Sequence, residues 1–477
     1  MKAKSSTVLS IQEVLQATNG RLRGGQTEGV FRGVSTDSRQ ISKGNLFICL
    51  EGENFDGHHF IDAAIAGGAA GLVVRKDAKV DLRKISREIP VIPVKDTLIA
   101  LGDIARFWRR QMNIPVIAIT GSSGKTTTKE MIAAILEQTG KVLKTEGNFN
   151  NQVGLPLTLL RLNRQHDVAV VEMGTNTPGE IGRLTRIAEP NIGLITNIGP
   201  AHLEKLKSLD RIRKEKGDLF QNMAGSGTAI MNVDDEAQRS LNGQWQGKRI
   251  TFGLKHRADV AAVNFRKKKR QGMVFTLKIG RTRRKVELQA AGEHNLYNAL
   301  AAAAASRAFG ADHDAICRGL ASFQPIPGRF EIQPLQNGAY LINDAYNANP
   351  LSVQEALKTL KDLKGRHHSI VILGDMLELG KQAGKLHTDV GRFLAGTDVD
   401  RVFLKGDFSR ATAKGAMAGG MAAERVFFYE QPGQISGRLR PFLKKGDWIL
   451  VKGSRKMKME EMVQSLIADF GLIGIDA

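Results

Sequence analysis

The sequence has few of the residues that build disulfide frameworks or membrane spans. Only two of its 477 residues are cysteines, Cys49 and Cys317, and they lie far apart in the chain. This excludes a disulfide-rich secreted domain and predicts two buried free thiols in a reducing compartment. No run reaches the roughly 18 apolar residues of a membrane helix, and residues 1–16 lack the apolar core of a signal peptide. We therefore expect a cytoplasmic protein without stable membrane insertion.

Aromatic residues are scarce, at 6%, and acidic residues are outnumbered by basic ones. Lys and Arg total 69 against 48 Asp and Glu, a formal charge of +21, which predicts negatively charged partners. The densest basic runs, Arg266–Arg270 and Arg281–Lys285, flank an alternating segment that predicts one strand of a hairpin. Because few aromatic side chains are available to stack on bases, we interpret these runs as a solvated hairpin edge and expect no nucleic-acid partner.

Length and pattern predict three α/β domains, at roughly 100–200 residues per domain. Residues 1–110 combine turn-rich strands with an Ala/Gly-rich helix. Residues 111–324 carry apolar runs at regular intervals, which are typical of a doubly wound parallel sheet covered by helices. The segment QPIPG near residues 324–330 predicts a linker, and residues 325–477 predict a smaller Rossmann-like domain. In it, Asn349 and Pro350 predict the start of a helix that runs to about Leu363.

A glycine turn predicts a phosphate-binding loop directly after a strand that ends at Thr120. Backbone N–H groups and a helix N-terminus meet there and form a cradle for anions. Lys125 could reach the β- and γ-phosphates, and the Thr126 hydroxyl suits Mg²⁺. The glycine spacing is shorter than in the common loop motif, because residue 119 is Ile. The predicted nucleotide-binding residues are Gly121, Ser122, Ser123, Gly124, Lys125, Thr126 and Thr127.

Polar side chains follow two further predicted strands. Glu172 and His202 are expected at the carboxyl ends of adjacent strands beside the phosphate loop. A carboxylate there can hold Mg²⁺, but Glu172 alone fits a loop carboxylate equally well, and His202 alone fits a capping residue better, since Mg²⁺ prefers oxygen. Lys216, on a predicted helix near Lys214, would by itself be interpreted as a solvated lysine.

Eight segments, in this order, resemble the Mur ligase family over nearly the whole chain: TGSSGKTT, GNFNNQVGLPLTLL, EMGTNTPGEIG, TNIGPAHLE, KEKGDLF, GEHNLYNALAAAA, PGRFE and NDAYNANP. The short glycine spacing is also the form that this family uses. The resemblance implies an ATP- and Mg²⁺-dependent ligase of peptidoglycan precursor synthesis, a process tied to cell shape and division. STDSR, GDMLELG and VKGSRKMKMEEMV favour the member that joins D-alanyl-D-alanine to the terminal carboxylate of UDP-N-acetylmuramoyl-tripeptide through an acyl phosphate. The absence of the D-N-P-R motif of a sibling agrees with this.

The resemblance also implies roles for single residues, whereas the sequence leaves the oligomeric state open and a monomer is simply our expectation. Catalytic roles fall on Lys125, Lys216, Arg329 and His202. Metal contacts fall on Thr126, Glu172, His202 and a carbamylated Lys216, with Lys214 as its alternative. Nucleotide contacts beyond the loop fall on Asn295, Asn298, Asp344 and Asn347. Substrate contacts fall on Ser35, Thr36, Asp37, Ser38, Arg39, Asn148, Asn150, Asn151, Tyr346 and Asn349.

Two alternatives stay open on the sequence. One is another amide ligase of the same superfamily, such as a folylpolyglutamate synthase, against which the STDSR segment argues. The other is a phosphate-loop protein that binds nucleic acid through its basic hairpin, which would show binding that falls steeply with salt.

Overall fold

The computed structural model describes residues 7–52, 55–79, 85–241, 243, 245–268 and 272–473. Their strands form four sheets, and the three larger sheets follow one another along the chain. Within these residues, no helix is both long and apolar enough to cross a bilayer.

The N-terminal region carries a two-stranded antiparallel sheet, β1-β2, and a four-stranded parallel sheet of order β3-β4-β5-β6. Buried Phe47, Leu72 and Val74 form part of the core on one face of the larger sheet. Its strands are β1 Val8–Ser10, β2 Val30–Arg32, β3 Val34–Ser35, β4 Leu46–Ile48, β5 Gly71–Arg75 and β6 Val91–Val94, and its helices are α1 Ile11–Thr18, α2 Ile61–Ala66 and α3 Thr97–Met112.

The central region is built on a nine-stranded sheet of order β15-β14-β13-β12-β11-β10-β7-β9-β8. Its strands are β7 Val116–Thr120, β8 Val142–Lys144, β9 Val168–Glu172, β10 Ile192–Ile195, β11 Thr228–Asn232, β12 Lys248–Gly253, β13 Val260–Lys268, β14 Gly272–Ile279 and β15 Thr282–Leu288. Its helices are α4 Lys125–Leu136, α5 Gly154–Leu159, α6 Glu180–Ala188, α7 Leu203–Leu206, α8 Leu209–Gln221, α9 Glu236–Arg239, α10 Glu293–Phe309 and α11 His313–Ser322.

This central sheet is mixed, because the predicted parallel sheet carries antiparallel strands at one edge. Strands β7 to β12 pair in parallel, whereas β14 pairs antiparallel with both β13 and β15. The predicted basic hairpin therefore extends the sheet at its edge. The alanines 301–305 of α10 are all buried, and their small side chains let this helix lie close to the sheet.

Two local expectations also need correction. Glu172 and His202 do not follow adjacent strands, because β7 lies between β9 and β10. The two residues therefore flank the phosphate loop instead of lying on one side of it. Cys317 is half-buried, whereas Cys49 is fully buried and burial raises the pKa of its thiol to about 12. Lys269 and Arg270 of the first basic run lie outside the described residues.

The C-terminal region has a six-stranded sheet of order β16-β17-β21-β18-β19-β20, parallel except for the β16-β17 pair. The helix predicted at Pro350 is present, and the side chain of Asn349 accepts a hydrogen bond from the Ser352 N–H at 2.9 Å. The strands are β16 Glu331–Pro334, β17 Tyr340–Asp344, β18 Ser369–Gly374, β19 Arg401–Lys405, β20 Val426–Phe428 and β21 Trp448–Lys452, and the helices are α12 Pro350–Lys364, α13 Ala383–Ala395, α14 Ser409–Ala418, α15 Gly433–Leu439 and α16 Met459–Phe470.

Candidate active site

A cleft of about 890 Å³ lies between the central and C-terminal regions. The carboxyl ends of β7, β9 and β10 open into it from one side, as expected for ligand sites on open parallel sheets. The ends of β17 and β21 face it from the other. The predicted residues among its lining are Ser122, Ser123, Gly124, Lys125, Thr126, Thr127, Asn148, Asn150, Asn151, Glu172, His202, Asn295, Asn298, Arg329, Asp344, Tyr346, Asn347 and Asn349.

The phosphate loop is held in place by Asn197, which lies just after β10. The backbone N–H groups of Ser122 and Ser123 donate to the carbonyl and side-chain oxygens of Asn197, each at 2.9 Å. The Lys125 ammonium spans the loop and donates to the Gly121 carbonyl at 2.9 Å. Burial lowers the pKa of Lys125, and the charge of Arg329 lowers it further. A polyanion in the cleft would restore the favoured charged state of this lysine.

Gly124 is the position where the loop most clearly requires glycine. Its φ is 79°, and an added Cβ would lie 2.3 Å from Oδ1 of the buried Asn298. We expect Gly124→Ala to weaken ADP binding about 5- to 150-fold, because the distorted loop costs about 1–3 kcal/mol. Isothermal titration checks this, with Gly147→Ala as the control, since Gly147 also has a positive φ but an open surrounding. Equal ADP affinity in Gly124→Ala and the unmodified protein would contradict this account of the loop.

Oxygen ligands converge beside the loop. The Thr126 hydroxyl donates to Glu172 Oε2 at 2.8 Å, and Asn150 Nδ2 donates to Glu172 Oε1 at 2.8 Å. The backbone N–H of Glu172 donates to Thr145 Oγ1 at 3.0 Å, so two hydrogen bonds hold this buried carboxylate and a third holds its backbone. The described residues contain no cluster of three or more His, Cys, Asp or Glu side chains suited to a metal. One carboxylate and one hydroxyl beside a phosphate loop fit Mg²⁺, which is commonly completed by phosphates and water.

His202 lines the cleft from the central region, and its side chain contacts the C-terminal region. Its Nδ1 lies 2.6 Å from Oε2 of Glu378, a residue between β18 and α13. The hydrogen bond from His202 lowers the pKa of the Glu378 carboxyl. The sequence prediction included His202 but missed Glu378, since the two residues lie 176 positions apart.

Lys216 lies on α8 behind the residues that line the cleft. Its side chain is buried, whereas Lys214 is exposed, so the interpretation of Lys216 as a solvated lysine is wrong. Burial lowers the pKa of Lys216 well below its usual value, and the charge of Lys125 contributes to the decrease. The neighbouring Glu215 is engaged elsewhere, because it accepts hydrogen bonds from the N–H groups of Gly179 at 2.6 Å and Ile181 at 2.8 Å. Burial therefore favours the neutral amine at Lys216 more than it is favoured in a solvent-exposed lysine.

Cations and an aromatic ring form the C-terminal wall of the cleft. The guanidinium of Arg329 lies 4.0 Å from the centre of the Tyr346 ring, and that of Arg455 lies 5.7 Å from it. Buried Lys452 donates to Asp344 Oδ2 at 2.6 Å and to the Asn347 carbonyl at 2.9 Å. Lys452 and Arg455 were missed as single residues, although they lie in the VKGSRK segment that the sequence had singled out.

Two asparagines of α10 connect that helix to α4, which follows the phosphate loop. Asn298 accepts a hydrogen bond from Thr128 at 3.3 Å and donates to Asn295 at 3.1 Å. Asn295 donates to the Ala291 carbonyl at 2.8 Å. On the facing wall, Asn349 Nδ2 donates to the Ser122 carbonyl at 3.2 Å, which links the C-terminal region to the loop directly.

The predicted residues of the N-terminal region do not line this cleft. Ser35, Thr36, Asp37, Ser38 and Arg39 lie on and after β3, where Arg39 Nε donates to Asp37 Oδ1 at 2.9 Å. This hydrogen bond lowers the pKa of Asp37.

Comparisons with known proteins identify the family. Three family models match successive parts of the chain: "Mur ligase family, catalytic domain" at residues 30–109, "Mur ligase middle domain" at 119–306, and "Mur ligase, glutamate ligase domain" at 328–455. The UDP-N-acetylmuramoyl-tripeptide–D-alanyl-D-alanine ligase of Escherichia coli K12 is 38% identical over 467 residues, which cover 96% of this chain and 98% of that protein. The chain belongs to the Mur ligase family.

Solved structures give the same family fold. This Mur ligase superposes on MurF from Acinetobacter baumannii with a TM-score of 0.88 and 32% identity, covering 97% of this chain and 100% of that one. It superposes on the MurF ligase from Thermotoga maritima, solved in complex with ADP, with a TM-score of 0.81 and 27% identity, covering 91% and 97%. The three-domain α/β architecture expected from the sequence is confirmed.

Proposed function

We propose that this Mur ligase joins D-alanyl-D-alanine to the terminal carboxylate of UDP-N-acetylmuramoyl-tripeptide and releases ADP and phosphate. The observation that carries the proposal is the single cleft in which a phosphate loop faces the cationic wall of the C-terminal region. The naming of the E. coli and A. baumannii relatives supports the choice of substrates. The reaction would supply a precursor of peptidoglycan, on which cell shape and division depend.

The chemistry requires activation of a carboxylate. A carboxylate is a poor acyl donor, because its oxygen is a poor leaving group. Attack of a carboxylate oxygen on the γ-phosphorus of ATP forms an acyl phosphate and expels ADP. The amine of the dipeptide then attacks the acyl carbon, and collapse of the tetrahedral intermediate expels phosphate and forms the amide. Two anions must meet in the first step, so positioning and charge neutralisation are the main tasks of the protein.

The residues of the cleft are suited to those tasks. The loop from Gly121 to Thr127 would bind the triphosphate through the N–H groups at the start of α4 and the Lys125 ammonium, because the N–H groups of Ser122 and Ser123 already donate to Asn197. Arg329, held against Tyr346, would offset the repulsion between carboxylate and triphosphate. Mg²⁺, when bound by Thr126, Glu172, His202 and Lys216, would supply further neutralisation of the phosphates.

A carbamate at Lys216 would turn this lysine into an oxygen ligand. The low pKa that burial imposes favours the free amine, which can attack CO₂. A bond forms between Nζ and the carbon, one N–H proton is released, and an anionic carbamate results. The negative product would be stabilised by the neighbouring Lys125 and by a metal ion.

The remaining predicted residues keep the roles that the family resemblance implies. Asn295, Asn298, Asp344 and Asn347 would contact the nucleotide, and Asn148, Asn150, Asn151, Tyr346 and Asn349 the peptide. Ser35, Thr36, Asp37, Ser38 and Arg39, outside the cleft, would contact the uridine diphosphate sugar. These assignments correspond to a sugar-binding domain at residues 1–110, an ATP-binding domain at 111–324 and a Rossmann-like domain at 325–477.

We also propose that the protein acts as a monomer. The use of ATP and a nucleotide sugar supports a cytoplasmic location. The linker at residues 324–330 would act as the hinge that closes the C-terminal domain and excludes water from the acyl phosphate.

The proposed function is tested by incubating the purified protein with ATP, Mg²⁺, D-alanyl-D-alanine and each tripeptide nucleotide, with lysine or diaminopimelate as third residue. We expect a product whose mass equals the sum of both substrates less one water, with one phosphate released per amide. Phosphate release with glutamate and a folate as the only acceptors would instead identify the folylpolyglutamate synthase alternative.

The metal requirement gives a separate prediction. We expect Glu172→Gln to raise the Mg²⁺ concentration for half-maximal turnover at least about tenfold, since a neutral amide replaces the charged oxygen ligand. Turnover measured across a Mg²⁺ titration checks this, with the exposed Glu424→Gln as control. An unchanged Mg²⁺ dependence in Glu172→Gln would contradict its assignment as a ligand.

A further inference from the structure

The contact between His202 and Glu378 joins two regions of the chain. His202 is the residue before α7, in the central region, and Glu378 lies after β18, in the C-terminal region. Their side chains meet with Nδ1 2.6 Å from Oε2. The backbones also meet, because the N–H of Glu204 donates to the Glu378 carbonyl at 2.9 Å.

The backbone at this contact is unusual on both sides. His202 has a φ of 55° and Glu378 a φ of 64°, in the left-handed region that costs a residue other than glycine on the order of 1 kcal/mol or more. Gly380, with φ 55°, lies so close that an added Cβ would be 2.9 Å from the Cα of Glu204. Two independent strained residues that face each other require the surrounding structure to hold them in place.

The hydrogen bond between the two side chains determines which ring nitrogen of His202 carries a proton. An ionised carboxylate only accepts hydrogen bonds, so Nδ1 must carry a proton. In the neutral imidazole, Nε2 then keeps its lone pair, and among the described residues no protein group is hydrogen-bonded to it. Histidines that bind metals typically have this arrangement, with a carboxylate on the other ring nitrogen that fixes tautomer and orientation.

We propose that Glu378 is a positioning residue that presents His202 to the metal, so that docking of the C-terminal domain completes the metal site. The proposal rests on the metal site of the proposed function and adds that its histidine is oriented from another domain. Because the coupling is reciprocal, metal binding stabilises the docked arrangement by the same free energy.

The test uses Mn²⁺ as the probe, titrated into the full-length protein with a non-hydrolysable ATP analogue and followed by electron paramagnetic resonance. We expect Glu378→Ala and His202→Ala each to weaken Mn²⁺ binding about 10- to 100-fold. The double variant should bind no more than about twofold weaker than His202→Ala alone, because Glu378 acts through that histidine. The Mn²⁺ affinity of Glu378→Gln should lie between those of the unmodified protein and Glu378→Ala, because the amide oxygen can accept the hydrogen bond but carries no charge. Glu424→Ala, on the exposed surface of the same domain, is the control.

A second variant separates docking from the carboxylate itself. Gly380→Val keeps both His202 and Glu378 but should hold the two loops apart, and we expect it to weaken Mn²⁺ binding like Glu378→Ala. Unchanged Mn²⁺ binding in Glu378→Ala would overturn the proposal. The proposal would also be overturned if Glu378→Ala weakened Mn²⁺ binding equally in the presence and in the absence of His202. Either result would leave the metal site intact. Absence of Mn²⁺ binding in the unmodified protein would overturn the metal site and the proposal together.

Discussion

Replacing Arg329 with Ala is expected to lower kcat by about 10³-fold or more while changing ADP affinity far less. Arginines that neutralise the transferring phosphoryl group are worth roughly 10³ to 10⁵ in turnover in other enzymes. Arg329 lies close enough to Lys125 to lower the pKa of that lysine, and its guanidinium is held against Tyr346 at 4.0 Å. In the proposed reaction its charge would lie where carboxylate and triphosphate have to meet. Amide formation and ADP titration, measured on the same preparation, check the prediction.

Two control variants test whether the charge of Arg329 and its position in the cleft both matter. Arg329→Lys keeps the charge but loses the planar donor set, so its kcat should lie between those of the Ala variant and the unmodified protein. Arg425→Ala removes an exposed arginine from the same domain and should leave kcat within about twofold. An Arg329→Ala variant as active as the unmodified protein would reject the proposed role.

Replacing Lys216 with Met is expected to lower kcat about as much as Arg329→Ala does, without unfolding the protein. Methionine is similar in length and fills the buried site, but it has no amine to form a carbamate. Burial depresses the pKa of Lys216, so the folded state binds fewer protons there than the unfolded chain does. Folding therefore becomes less favourable as the pH falls below the pKa that Lys216 has in the unfolded chain. The methionine of Lys216→Met does not titrate, so the variant does not carry this cost. We expect Lys216→Met to melt no lower than the unmodified protein at pH 7, as calorimetry would show.

Lys214→Ala is the control for this prediction, because Lys214 lies two residues away on the same helix and is exposed. It should keep kcat within about twofold. A carbonyl signal from ¹³C-bicarbonate, detected by NMR and lost only in Lys216→Met, would identify the carbamate directly. Full turnover in Lys216→Met, or the loss of turnover in Lys214→Ala instead, would contradict the assignment.

The phosphate loop could be predicted from the sequence because its chemistry lies in contiguous residues. A strand, a glycine turn, a lysine, two hydroxyl residues and a helix follow one another from Val116 to Leu136, so local geometry determines where the N–H groups point. The helix at Pro350 was predicted for the same reason, since its cap and first turn are local.

Features that depend on packing between distant segments were not predicted. Lys216 has charged neighbours in sequence, so only the packing of α8 reveals its burial. The positions of Glu172 and His202 on opposite sides of the loop follow from the insertion of β7 between β9 and β10, a matter of strand order. The contact of His202 with Glu378 depends on the docking of two regions, which no local pattern encodes.

The central claim is that the γ-phosphoryl group passes directly to the peptide carboxylate within the cleft. It is tested by labelling the terminal carboxylate of the tripeptide nucleotide with ¹⁸O and analysing the phosphate released during amide formation by mass spectrometry. The account predicts one ¹⁸O atom in each phosphate, because the bridging oxygen of the acyl phosphate comes from the carboxylate. Amide formation with unlabelled phosphate would contradict it.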